Sequence, residues 1–151
     1  MSLDFIEIAN FLFSIHLLST FYMLGLIWVV QLAHYPFFQF IDPTREIEAH
    51  GFHRRRISLV VIPFSFLEVS TGLALILFEP AFMSDFQSSL NISLMVLTWA
   101  CTFTLQVPLH HQLSKIFDQK LVRRLVATNW IRTSFWTLRS ALLFYILVGA
   151  F

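Results

Sequence analysis

The sequence is short of charged residues, cysteine and glycine, and each shortage narrows the class of protein. Only 13% of the 151 residues are charged, whereas 57% are hydrophobic. Soluble domains carry about a quarter charged residues. This chain has too few to cover a surface in water, which favours lipid as its solvent. The single cysteine, Cys101, excludes an intramolecular disulfide and a multi-cysteine metal site. A formal net charge of +1 gives no reason to expect a nucleic acid partner.

Four apolar segments are each long enough to cross a bilayer, which takes about 20 mostly apolar residues in a helix. Lipid offers the backbone no hydrogen-bonding partner, so each span must be helical. The predicted fold is therefore all-α, an integral membrane four-helix bundle that forms a single domain over residues 1–151. The spans lie at about 8–40, 57–78, 90–109 and 129–150. Asp4 and Glu7 precede any basic residue, so the first span is expected to be retained rather than cleaved as a secretory signal.

Basic residues lie on only one side of this predicted bundle, in the two connections that follow the first and third spans. Short basic connections stay in the cytoplasm, which places both termini on the outer side of the membrane. Acidic Glu46 and Glu48 come before a run of arginines, an order that predicts a short cytoplasmic helix that runs into the second span. Segment 114–127 is expected to lie on the membrane surface. The basic residues are Arg45, Arg54, Arg55, Arg56, Lys115, Lys120, Arg123 and Arg124.

The chain also contains a weak internal repeat. Gln31 and Gln106 are 75 residues apart, and His34 and His110 are 76 apart. These pairs end the first and third spans. The spacing predicts two helix hairpins in the same orientation, related by an axis along the membrane normal.

Two ionisable residues lie near the middle of apolar spans, Glu68 in the second and Arg139 in the fourth. Each would cost roughly 2.5–3.5 kcal/mol on insertion scales if it stood alone. We therefore expect them to face each other, either as a structural ion pair or across a polar cavity. Helical spacing places Asn129, Arg132 and Trp136 on the same face as Arg139. Polar residues at the span ends converge on the cytoplasmic side and predict a vestibule that opens there; they are His34, His53, His110, His111, Asn129 and Arg132.

Histidine and a carboxylate together suggest a metal centre. Histidine is the commonest protein metal ligand, and a set of histidines with one carboxylate suits Zn or Fe. The candidate metal ligands are His34, His53, His110 and Glu68. The competing interpretation has the histidines bonding lipid headgroups and loop carbonyls. A haem held between the first and third spans is a further alternative, which the small number of glycines, 4 in all, disfavours.

Several of these motifs resemble those of small bacterial four-helix membrane proteins and, more distantly, those of the anthrone-oxygenase-like membrane family. The motifs are Gln31-x-x-His34-Tyr35-Pro36, His50-x-x-His53-x-x-Arg56, Gln106-Val107-Pro108-x-His110, Asn129-Trp130-x-Arg132 and Trp136-x-x-Arg139. The resemblance implies a four-helix bundle in the bacterial inner membrane. It also implies oxygenation of a polycyclic phenolic substrate, with matching positions at His110, Asn129, Trp130, Arg132 and Arg139.

Three functions follow as alternatives. The first is a membrane oxidoreductase that acts on a lipophilic small molecule, with or without a metal. Its catalytic residues would be His34, His110, Glu68 and Arg139. Its substrate contacts would be Gln31, Gln106, Asn129, Trp130, Arg132 and Trp136. The second is a small-molecule binder or transporter that uses Glu68 and Arg139, and the third is an accessory subunit of a membrane complex. Membrane lipids are expected partners, and a homodimer is compatible with a bundle of this size.

Overall fold

The computed structural model describes residues 3–42 and 44–150, which fold into four long helices joined by short connections. The helices are α1 (Leu3–Phe40), α2 (Glu46–Ala74), α3 (Asp85–Leu113) and α4 (Gln119–Gly149). Each is long and apolar enough to cross a membrane. The described residues contain no β-strand. The prediction of an all-helical chain with four candidate spans is therefore confirmed.

Apolar side chains cover much of the outside of the bundle, while charged and polar side chains lie within it. Leu18, Phe66 and Leu77 are at least 70% exposed, whereas Glu68 and Arg139 are fully buried. Proteins in water rarely expose apolar patches of this extent, and charged residues are almost never buried in them without a partner. The distribution is the one expected of a helical bundle surrounded by lipid.

Two helices extend further at their basic ends than the sequence predicted. The expected short helix that runs into the second span is present as the first part of α2, which continues without a break from Glu46 through Pro63 to Ala74. Helix α3 reaches Leu113, and most of segment 114–127 belongs to α4 rather than lying apart on a membrane surface. Asp118 caps this helix by accepting a hydrogen bond of 2.8 Å from the Lys120 amide. Val122, one turn further on, is fully buried against the bundle.

At the end of the bundle away from the basic connections, the helix boundaries also differ from those predicted. Helix α2 ends at Ala74, four residues before the expected limit, and a turn follows. Helix α3 begins five residues early because Ser84 and Gln87 form a capping box. The Ser84 hydroxyl accepts from the Gln87 amide at 3.3 Å, and the Ser84 amide donates to Gln87 Oε1 at 2.9 Å. The connection between α1 and α2 lies at the basic end and contains Asp42, whose carboxylate accepts two hydrogen bonds from Thr44. These bonds hold the pKa of Asp42 below its ordinary value.

Both α1 and α3 contain a widened π-helical turn at a corresponding place. These turns are Val30–His34 and Thr102–Gln106. Proline follows each of them two residues later, at Pro36 and Pro108. Since proline has no amide hydrogen, the carbonyl four residues earlier loses its helical donor, and a widened turn accommodates the loss. Such turns are frequent at functional sites.

Packing between the four helices is uneven. Helix α1 packs along α2 and α4, and α3 packs along α4, whereas α2 and α3 touch much less. Side chains 75 residues apart on α1 and α3 meet at two levels, His16 with Asn91 and Tyr35 with His110. The predicted repeat of two hairpins stays a prediction. The sparse contact between α2 and α3 leaves a gap between these two helices.

Candidate functional site

The two buried charges face each other inside the bundle. Arg139 Nη1 donates to Glu68 Oε1 at 2.6 Å, and both side chains are fully buried. Trp136 Nε1 donates to the same carboxylate oxygen at 2.8 Å. The second oxygen, Glu68 Oε2, has no hydrogen-bonding partner among the residues described. The ion pair meets the expectation that neither residue would stand alone in an apolar span.

Asn91 and His16 extend this ion pair into a larger cluster. We call the cluster the charge network, and its members are Glu68, Arg139, Trp136, Asn91 and His16. Arg139 Nε donates to Asn91 Oδ1 at 2.9 Å, and Nη2 lies 2.8 Å from His16 Nε2. A guanidinium has no acceptor, so His16 Nε2 must accept and the proton of this neutral imidazole sits on Nδ1. From there it donates to Thr71 Oγ1 at 3.0 Å or to the Glu68 carbonyl at 3.1 Å. The charge network therefore ties together all four helices.

The charge network is tightly enclosed. A Cβ at Gly72 would lie 2.8 Å from both His16 Cε1 and Met95 Sδ, so only glycine lets the helices approach this closely. Glu68 and Arg139 line neither of the two main cavities. Their geometry supports the structural interpretation, a pair that fixes how the helices pack. Their assignment as catalytic or transport residues stays a prediction.

A cavity of about 350 Å³ lies nearer the basic end, between the charge network and the connections. Its inner wall is formed by buried residues of α1 and α4, including Ile27, Val30 and Trp136. Its rim is formed by exposed residues of α2 and α3, among them Arg54 and Val107. The mouth thus lies in the gap between α2 and α3. We call this space the lateral cavity, and its size is within the range of small-molecule sites.

A chain of three hydrogen-bonded side chains runs from the wall of the lateral cavity. The Tyr35 hydroxyl lies 2.9 Å from His110 Nε2, and His110 Nδ1 lies 3.0 Å from His50 Nε2. Tyr35 and His110 line the cavity, while His50 is fully buried behind them. Each imidazole can accept at one nitrogen and donate at the other. The arrangement can carry a proton from the cavity into the interior of the basic end.

Three residues of the lateral cavity hold buried polar atoms that have no partner within the described part of the chain. These atoms are Trp99 Nε1, Gln106 Oε1 and Arg132 Nε. The Arg132 guanidinium lies 5.3 Å from the ring centroid of Trp136, a cation–π contact. Buried polar groups are normally hydrogen-bonded. Three unsatisfied groups around one cavity are therefore available to hydrogen-bond water or a ligand.

Other predicted substrate contacts support the cavity or lie away from it. Asn129 Nδ2 donates to Gln31 Oε1 at 2.7 Å, and Gln31 Nε2 donates to the Val126 carbonyl at 3.2 Å, so these two amides join α1 to α4. Trp130 is 44% exposed, packs edge-on against Trp28 and does not reach the cavity. Asn129 and Trp130 are adjacent, so they point about 100° apart on the helix and only one can face inward.

The four predicted metal ligands are not brought to one point. Glu68 belongs to the charge network, and His110 bonds to Tyr35 and His50. The rings of His34 and His53 are tilted by 49° with centroids 5.0 Å apart, and both side chains line a second cavity of about 590 Å³ at the basic end. His53 also lines the lateral cavity. Over residues 3–42 and 44–150, no group of three His, Cys, Asp or Glu side chains could hold a metal. The four residues as placed here do not fit a Zn or Fe centre, and the haem alternative stays a prediction.

Several residues of the site were not predicted in the roles that the structure gives them. His50 and Tyr35 stand inside the quoted motifs, and the 75-residue spacing links Tyr35 to His110, so the repeat contained a signal for this pair. The sequence held no such signal for Trp99, because a tryptophan in an apolar span usually lies at the membrane interface.

Comparisons with known protein families, curated proteins and solved structures give no match to this chain.

Proposed function

We propose that this chain is a multi-pass protein of the bacterial inner membrane and an oxidoreductase that acts on a lipophilic molecule in the lateral cavity. Both termini would lie outside, and the basic end would face the cytoplasm. The observation that carries the proposal is the chain from Tyr35 through His110 to His50, which starts at the cavity wall. Its natural substrate class is a molecule with a weakly acidic hydroxyl group, such as a phenol.

The three side chains would move the substrate's proton. The substrate O–H bond breaks, its electron pair stays on the substrate oxygen, and the proton passes to the Tyr35 oxygen. Tyr35 gives its own proton to His110 Nε2, and His110 Nδ1 gives one to His50, which becomes the cation. Dioxygen, the co-reactant, then takes four electrons from the anion. A ring C–H carbon becomes a carbonyl with one of the two oxygen atoms, and the other oxygen leaves as water with that hydrogen and the proton returned from His50, so that a phenol and dioxygen give a quinone and water. Positioned acid–base groups of this kind typically contribute about 10²–10⁴-fold to a rate.

Replacing the phenol of Tyr35 tests this proposal. Purified protein in lipid nanodiscs is supplied with a panel of polycyclic phenols, and oxygen uptake is followed with product mass. We expect Tyr35→Phe to slow turnover by about 10²-fold or more, since the first proton acceptor is lost. Tyr145→Phe is the matched control, because Tyr145 is 69% exposed on the outside of the bundle and should turn over at the parent rate. Equal rates in the Tyr35 and Tyr145 variants would contradict the proposal.

A second candidate is a binder that performs no chemistry on its ligand. The feature that favours it is the rim of the lateral cavity, which exposed residues of α2 and α3 form and which would admit a molecule from surrounding lipid. The same nanodisc experiment separates the two functions. Saturable binding of the phenols without oxygen uptake or a new product would favour the binder.

A further inference from the structure

Arg132 differs sharply from the other arginine on the inner face of α4. Arg139, seven residues later and thus on nearly the same face, is satisfied by Glu68, Asn91 and His16. Arg132 has neither an ion pair nor a hydrogen-bonding partner for its buried Nε among the described residues. A guanidinium cannot give up its proton to avoid this situation. An arginine in such a place is typically completed by an anion.

No acidic residue in the described lining of the lateral cavity balances the charge of Arg132. The described residues that line it include no aspartate or glutamate, whereas Arg54 stands at the mouth and Arg132 at the inner wall. The rest of the wall is mostly apolar, with Met23, Leu26 and Ile57 as examples. A cavity of this kind suits a molecule with an apolar body and one negative oxygen.

The other unsatisfied atoms define the ligand further. Trp99 Nε1 is a donor and can give a second hydrogen bond to an oxygen. Its ring lies edge-on to Trp136, with centroids 6.2 Å apart, and Trp136 is also in contact with the Arg132 guanidinium. The two donors therefore flank the same tryptophan. Gln106 Oε1 is an acceptor and suits a hydroxyl group on the ligand.

We infer that the lateral cavity binds its ligand as an anion, with a carboxylate or phenolate oxygen held by Arg132 and Trp99. This inference rests on the proposed function and specifies its substrate class. A phenol that gives its proton to Tyr35 leaves a negative oxygen, and Arg132 stabilises that oxygen. A lipophilic carboxylate carries the charge from the start. Arg132 is thus a specificity residue for acidic molecules over neutral molecules of the same shape.

An ionisable chromophore tests the inference without any need for turnover. The probe is a 7-hydroxycoumarin with an alkyl chain, whose phenol and phenolate absorb differently, and its methoxy analogue cannot ionise. In nanodiscs of zwitterionic lipid, the protein should lower the pKa of the bound probe by about 1 to 3, as an opposite charge at close range does. At neutral pH the methoxy analogue should bind about tenfold more weakly or worse. Dodecanoate, but not dodecanol, should displace the probe if the site also takes carboxylates.

Variants of α4 assign the effect to one side chain. Arg132→Gln should abolish the pKa change of the probe, while Arg132→Lys, which keeps the charge, should retain most of it. Arg123→Gln is the matched control, because Arg123 is an exposed arginine on the same helix and lines neither cavity. Should Arg132→Gln fail to fold, the Arg132→Lys variant and the comparison of the two probes on the parent protein still decide the matter.

The possible failures are distinguishable. If both coumarins bind equally well and the pKa of the bound probe is that of the free probe in nanodiscs, the anion inference is wrong while the cavity remains a site for lipophilic molecules. If Arg132→Gln leaves the pKa change intact, another group causes it and Arg132 is not the specificity residue. If neither coumarin binds, the inference fails together with the proposed role of the cavity.

Discussion

Replacing Glu68 with Gln tests the charge network most directly, because the change removes a charge while it preserves the size of the side chain. The variant leaves Arg139 buried, positively charged and without its ion-pair partner. Removing one member of a buried ion pair costs about 3–5 kcal/mol, since the remaining charge is uncompensated. We expect the free energy of unfolding of Glu68→Gln to fall by that amount.

Replacing the other member of the pair, Arg139→Met, should lower the free energy of unfolding by less than Glu68→Gln does. It removes three hydrogen bonds, those to Glu68, Asn91 and His16. Hydrogen bonds inside membrane proteins average about 0.6 kcal/mol, which gives a loss of about 2 kcal/mol. The carboxyl group that remains can take up a proton and become neutral, whereas a lone guanidinium cannot. The double variant leaves no charge in the charge network, so it should be more stable than Glu68→Gln alone.

Equilibrium unfolding in mixed micelles of increasing dodecyl sulfate content, followed by far-ultraviolet circular dichroism, measures all three variants. Glu48→Gln is the control, because its ion pair with Arg45 spans 3.4 Å with both side chains at least 70% exposed, and its loss should not be measurable. If Glu68→Gln unfolds like the parent protein, the ion pair does not stabilise the bundle. If the losses of the two single variants simply add in the double variant, the two side chains are not coupled in stability.

Two further predictions concern packing and orientation. Gly72→Ala should destabilise the bundle by about 1–3 kcal/mol, because the new Cβ would meet two side chains at 2.8 Å. Gly25→Ala, which has open space around its Cβ, should be neutral or slightly stabilising in the same unfolding assay. Equal effects of the two changes would contradict the close approach at Gly72. Orientation is tested in a Cys101→Ser background with a thiol reagent that cannot cross the inner membrane. The Lys115→Cys variant should react only after cells are opened. The Asp85→Cys variant should react in intact cells whose outer barrier is permeable to the reagent. The opposite pattern would overturn the proposed orientation.

The main features of the fold could be predicted because lipid imposes strong rules. Apolar length alone defines the four spans. Two isolated ionisable residues, Glu68 and Arg139, have a simple common solution in a bundle, which is to pair. The start of α4 was harder to predict, since a segment of mixed basic and apolar residues suits a surface helix as well as an extension of a span. Burial of Val122 and Leu125 against the bundle decides between the two, and that is a tertiary effect.

The candidate site was only partly predictable. Asn91 lies near the predicted start of a span, where an amide is common, so its contact with Arg139 had no separate signal. The sequence placed Glu68 and His110 in one centre because both belong to the polar interior. The structure separates them by level along the bundle, one in the charge network and one beside the lateral cavity. Composition shows that polar groups turn inward, but depth and helix rotation decide which of them meet.

The gap between α2 and α3 has a consequence for how any ligand would be supplied. A molecule that arrives through a sideways opening comes from the bilayer, so its effective concentration is fixed by partitioning rather than by solubility in water. Each added methylene group favours the lipid by about 0.8 kcal/mol, roughly a fourfold enrichment. Half-saturation measured against total ligand would therefore change with the ratio of lipid to protein. Chemically similar molecules would be ranked by their chain length before any contact with the protein had discriminated between them.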